Sequence, residues 1–147
     1  MKVKISYIEP EKTERAELYV VRGHQSLETL VQVIEKESYK EKVLYVTDKD
    51  EKYQISCTHI FFIESIGEKI LVHTEKKVFQ CKKRLYELEK ELPEYFSRIS
   101  KSVILNLRQV EYYRPQLNGI MKANLYNREE VYISRKYLRE IRSKIGG

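Results

Sequence analysis

A chain of 147 residues with 41% hydrophobic and 34% charged side chains holds enough material for one mid-sized domain, or for a small module attached to another. Five glycines and three prolines leave no room for a long disordered linker. The charge-free stretch over residues 53–63 is about half of the ~20 residues that a membrane-spanning helix needs. The net charge of +6 is local: residues 1–93 carry 17 basic and 17 acidic side chains, residues 94–147 carry 11 and 5, so the excess lies in the last third. A basic stretch on an otherwise balanced chain is the electrostatic footprint of a phosphate-backbone binder, although a solvated basic face gives the same count.

The chain opens with period-two alternation. Val3, Ile5 and Tyr7, then Leu18 and Val20 across the polar turn Glu9-Pro10-Glu11-Lys12, predict an antiparallel hairpin. Glu9 and Pro10 also interrupt any continuous apolar core like that of a secretion signal, and the expected location is the cytosol. Leu27, Leu30, Val31 and Ile34 fall at helical spacing behind Ser26, a reasonable N-cap, with Glu28 in the first turn. The first segment therefore reads as β-β-α.

From residue 43 short strands are predicted at Val43–Val46, Tyr53–Cys57, His59–Ile63, Ile70–His73 and Val78–Cys81, spaced too closely for parallel crossovers and so antiparallel. Lys83–Leu92 follows as an amphipathic helix with Leu85, Leu88 and Leu92 on one face and Pro93 behind it. Further strands are expected at Val103–Leu105, Val110–Arg114, Ile120–Tyr126 and Val131–Ser134, with Asn118-Gly119 as the turn of a hairpin. Tyr137, Leu138, Ile141 and Ile145 close the chain as a helix with Arg139, Arg142 and Lys144 on its wet side.

Catalytic chemistry finds little to build with. His24, His59 and His73 are scattered, the glycines Gly23, Gly67 and Gly119 are solitary, and Cys57 and Cys81 lie far apart and read as reduced thiols. No enzyme, cofactor or metal is expected. The richest binding segment runs from Phe96 through Arg108 to Ser134-Arg135-Lys136-Tyr137, where basic residues interleave with Ser, Asn and Tyr. These side chains donate to phosphates and also reach base edges, a mixture suited to DNA. The other reading of the same face is a module that binds an acidic protein or an anionic membrane surface.

The succession Ile60-Phe61-Phe62-Ile63-Glu64-Ser65, a strand, Leu85-Tyr86-Glu87-Leu88-Glu89, Phe96 through Asn106, Asn118-Gly119 and Val131 through Tyr137 resembles the LytTR DNA-binding domain from about residue 53 to the end. The resemblance implies an elongated, mostly antiparallel β fold in which loops enter successive major grooves, commonly with two protomers on direct repeats. It implies double-stranded DNA as the partner and a homodimer as the working form. Carried over motif by motif, Lys69 corresponds to the reader in the loop after Ser65, a loop one residue shorter beside Gly67 than in the family pattern. Ser100 and Lys101 correspond to a second contact loop, and Arg135 and Lys136 to a third. Arg98 is assigned as a phosphate clamp or structural residue, and Asn106 as a local cap or pairing residue. The groups Phe61-Phe62, Leu85-Leu88 and Val103-Ile104-Leu105 are expected in the core.

The fold class is thus read as α+β, mostly antiparallel β, with a small β-β-α module over residues 1–50 and a LytTR-like fold with a C-terminal helix over residues 51–147. LytTR domains commonly follow a phosphorylatable receiver, and 50 residues are too few for that doubly wound fold. The short module resembles that of compact stand-alone regulators and is expected to serve dimerisation or the sensing of a protein effector.

Overall fold

The computed structural model describes residues 2–36 and 41–146. They fall into two compact units, with the division just before Glu41.

Among the described residues of the first unit the one regular element is helix α1 (Leu27–Glu35). The polar turn forms, with Lys12 N–H donating to the Glu9 carbonyl at 3.0 Å, but no strand forms on either side of it among the described residues. This corrects the predicted hairpin. Val3, Tyr7, Tyr19 and Val21 each stay more than three-quarters exposed, and a lone two-stranded ribbon buries too little apolar surface to offset the entropy of ordering its backbone. Ser26 does not cap α1 through its side chain: its backbone sits at φ 65°, in the left-handed region, whereas a capping serine holds an extended backbone. The apolar face of α1 is only half-buried at Leu27, Leu30, Val31 and Ile34.

The second unit is built of strands β1 (Val43–Asp48), β2 (Glu51–Ser56), β3 (Ile60–Ile66), β4 (Lys69–Thr74) and β5 (Val78–Cys81), helix α2 (Leu85–Glu91), strands β6 (Phe96–Ser100), β7 (Val103–Asn106), β8 (Val110–Pro115), β9 (Met121–Leu125) and β10 (Glu130–Ile133), and helix α3 (Arg135–Ile145). Seven strands form one sheet in the order β2-β1-β5-β4-β3-β7-β6, and three form a second in the order β10-β9-β8. Every pairing is antiparallel, as the short connections require.

Two hydrophobic cores share the strands in the middle of the large sheet. One gathers Leu44, Val46, Ile60, Ile63, Val72, Leu88 and Ile104 beneath α2; the other gathers Phe61, Phe62, Ile99, Leu105, Leu125, Ile133 and Ile141 beneath α3 and the small sheet. Strand β3 serves both through a bulge. The register with β4 slips between Ile60 and Phe62, so Phe61 is an extra residue, and Phe61 and Phe62 enter the second core while Ile60 and Ile63 enter the first. A run that is apolar at four successive positions is what a strand buried on both faces needs. The predicted core groups are buried apart from Val103, which is half-buried.

Short helical turns at Cys57–His59 and Leu107–Gln109 lead into β3 and β8, and a pair of amides joins them. Asn106, fully buried, donates from Nδ2 to the Ile60 carbonyl at 2.8 Å and accepts at Oδ1 from Arg108 N–H at 3.0 Å. Gln109 Nε2 donates to the Thr58 carbonyl at 2.8 Å. Asn106 thus caps its own turn and pins it to the start of β3. Cys57 and Cys81 are both free and buried, and burial pushes both thiols above their ordinary range, which makes them poor nucleophiles. His59 is exposed in its turn, whereas His73 stacks on Phe62 with ring centroids 4.0 Å apart and pairs through Nε2 with Glu64 Oε1 at 2.7 Å.

Candidate nucleic-acid interface

The strand registers bring the predicted contact residues to one end of the large sheet. Strand β3 leaves Ile66 and returns as β4 at Lys69 through the two-residue turn Gly67-Glu68, with Gly67 at φ 59°, the positive φ that a tight hairpin demands at its first turn position. Strand β6 ends at Ser100 and β7 begins at Val103, with Lys101-Ser102 as the turn. Glu64 of β3 lies opposite Val103 of β7, and Ser65 N–H donates to the Ser102 carbonyl at 2.8 Å. The two turns therefore stand side by side.

The third segment is attached to the second. Ser134 N–H donates to the Ile99 carbonyl at 2.9 Å, which sets the first turn of α3, with Arg135 and Lys136, next to the end of β6. Lys69, Lys101, Arg135 and Lys136 are exposed, and Ser100 is half-buried, its Oγ accepting from Ser102 N–H at 3.3 Å. Strands lie about 4.8 Å apart, so the row from β4 through β3 and β7 to β6 is on the order of 15 Å wide before α3 is added.

Arg98 plays a different part from the other five. Its Nε donates to the Ser100 carbonyl at 2.9 Å, Nη2 donates to the Lys101 carbonyl, and Nη1 meets Glu89 Oε2 of α2 at 3.1 Å. The guanidinium is spent on protein acceptors and holds the β6–β7 turn against α2. Of the two roles the sequence offered, these bonds match the structural one. Arg98→Ala is expected to cost about 1–3 kcal/mol of stability and to loosen the turn. Arg98→Lys should rescue little, because one ammonium cannot replace a planar fork with three acceptors. Amide exchange at residues 100–103 checks this: protection unchanged in Arg98→Ala would remove Arg98 from the positioning role.

Two basic residues that sequence reasoning passed over reach the same end. Ile70 of β4 pairs with Cys81 of β5, so the chain leaves β5 at the β3–β4 turn, and exposed Lys82 and Arg84 lie there. Arg84 Nη1 donates to the Glu68 carbonyl at 3.4 Å. The run Lys82-Lys83-Arg84 is visible in the sequence, but its position at this end depends on the β4–β5 register. Lys83 turns away to an ion pair with Glu91, and Glu68 is an acidic side chain on the first turn. The cations at the start of α3 oppose the local preference of a helix. The first turn of α3 holds no acidic residue, and its two basic ones meet the positive end of the helix dipole.

Comparison with known proteins identifies the family and the fold of the second unit. The family model for the LytTr DNA-binding domain matches residues 50–146. An uncharacterized HTH-type transcriptional regulator of Staphylococcus aureus is 27% identical over 140 residues, covering 95% of both chains. Another from a bovine strain of the same species is 32% identical over 117 residues, covering 80% of this chain and 70% of its own. A solved LytTr DNA-binding domain from Bacillus cereus superposes with a TM-score of 0.69 at 23% identity, covering 74% of this chain and all of its own. The relatives' name refers to a helix-turn-helix, yet among the described residues no two helices here are consecutive: five strands separate α1 from α2, and five more separate α2 from α3. No helix among them is long and apolar enough to cross a membrane.

Proposed function

The chain belongs to the LytTR DNA-binding family, and we propose that it is a sequence-specific transcription regulator whose loops, rather than a recognition helix, enter the major grooves of double-stranded DNA. The observation that carries this reading is the gathering of Lys69, Ser100, Lys101, Arg135 and Lys136 at one end of the large sheet by the Ser65–Ser102 and Ser134–Ile99 backbone bonds. The row is wider than the ~12 Å of one major groove, which suits turns that enter at separate points. In this reading Lys69, Lys101, Arg135 and Lys136 reach base edges or phosphates, with Lys69 as the reader of the β3–β4 turn, Ser100 donates to a phosphate, and Arg98 holds the β6–β7 turn. No catalytic role is assigned.

The protein acts as a homodimer on direct repeats in the cytoplasm, with the N-terminal module, read from the sequence as residues 1–50 and ending before Glu41 in the structure, serving dimerisation or the sensing of a protein effector. The relatives named as transcriptional regulators support the regulatory part of this reading.

Salt titration of duplex binding tests it. Each phosphate contact contributes about −0.9 to the slope of log K against log salt, so five or six cations on this face predict a slope of roughly −4.5 to −5.5 per protomer. A slope near zero, or binding to anionic vesicles that excess duplex fails to compete away, would contradict the proposal.

A further inference from the structure

The tip of the β8–β9 hairpin also reaches this end of the unit. Gln116 N–H donates to the Ile120 carbonyl at 2.8 Å and Gly119 N–H to the Gln116 carbonyl at 3.3 Å, leaving Leu117, Asn118 and Gly119 as the tip. Asn118 accepts at Oδ1 from Ile120 N–H at 3.2 Å. Gly119 alone takes a positive φ, 81°, the pattern of a three-residue loop that ends in a left-handed glycine. A Cβ on Gly119 would lie 3.0 Å from Cδ and 3.4 Å from Cγ of Arg135. The stem of Arg135 therefore rests on the bare backbone of the turn. Beside it Leu117 is wholly exposed, at 110% of its reference area, the largest value among the large apolar side chains of the described residues. Residues 116–119 carry no charge, so nothing in the tip repels a phosphate.

We propose, resting on the DNA-binding reading above, that this tip is a further reading loop: Gly119 seats Arg135, and Leu117 takes an apolar contact in the major groove next to the base that Arg135 meets. The matching chemistry there is the 5-methyl group of thymine, the one apolar group on a base edge in that groove. Gly119 is a positioning residue in this arrangement, and Leu117 a specificity residue.

The probe is a duplex recovered by selection with the wild-type protein, together with a series in which each thymine is replaced singly by deoxyuridine. Wild type is expected to lose roughly threefold to tenfold in affinity at one thymine, the worth of one methyl contact. Leu117→Ala should lose a similar factor on the parent duplex, be indifferent to that replacement, and melt at the wild-type temperature. Gly119→Asn, which tolerates a positive φ but adds a Cβ, should weaken binding in the wild-type background and have little further effect once Arg135 is alanine. If Leu117→Ala binds the parent duplex as wild type does, or remains as sensitive as wild type to every replacement, the tip is not a reading loop. If the wild type selects no duplex at all, the DNA-binding reading itself fails, a result distinct from selection followed by indifference to Leu117.

Discussion

Changing Lys101, Arg135 and Lys136 together to alanine is expected to reduce binding of a selected duplex to the level of random DNA while leaving the fold intact. Single changes at Arg135 or Lys136 should each cost about 1–3 kcal/mol where the side chain reads a base, whereas a pure phosphate contact should weaken all sequences alike and lower the salt slope by about one. The separation of binding from stability follows from exposure and from the helix dipole. All three side chains are solvent-exposed, and cations in the first turn of a helix oppose its positive end by about 0.3–1 kcal/mol each. Alanine at 135 and 136 should therefore leave the melting temperature level or slightly raised. Electrophoretic mobility shift with the selected duplex, set beside thermal melting, checks both halves. Undiminished binding by a well-folded triple variant would remove these residues from the interface.

The largest effect on stability away from the apolar cores is expected at Asn106. Alanine there removes the donor to the Ile60 carbonyl and the acceptor for Arg108 N–H at a side chain with 0% exposure. An orphaned buried polar group costs about 1–3 kcal/mol, and the cavity adds to it, so a loss of roughly 2–4 kcal/mol in urea unfolding is expected. Because the bond to Ile60 spans 46 residues, it fixes the entry of β3 relative to β7. A loss under about 0.5 kcal/mol would show that the two turns are held by packing alone.

Much of the second unit was legible in the residues. The apolar run Ile60–Ile63, the leucines of α2, the Asn118-Gly119 turn and the spacing of Leu138 and Ile141 each state a local preference that agrees with the final fold. At Asn118-Gly119 the hairpin forms, but with only the glycine at positive φ. The first unit was misread because alternation reports which face of a strand would be buried and not whether a partner exists to bury it. Val3, Ile5 and Tyr7 alternate, yet among the described residues no strand pairs with them. The proposed contact residues come from motif matches, but their convergence was not visible, since it rests on the register of β3 against β7 and on one backbone bond from Ser134 to Ile99. Arg98 shows the same limit: a sequence displays an arginine in a basic loop, whereas the three acceptors that occupy it come from β6, its turn and α2.

Selection of bound fragments from random duplex DNA by the full chain, followed by sequencing, tests the central claim most directly. Enrichment of one motif is expected, repeated in direct orientation and lost when Lys101, Arg135 and Lys136 are alanine. Recovery of fragments with no common motif, or of the same motif by the triple variant, would contradict it.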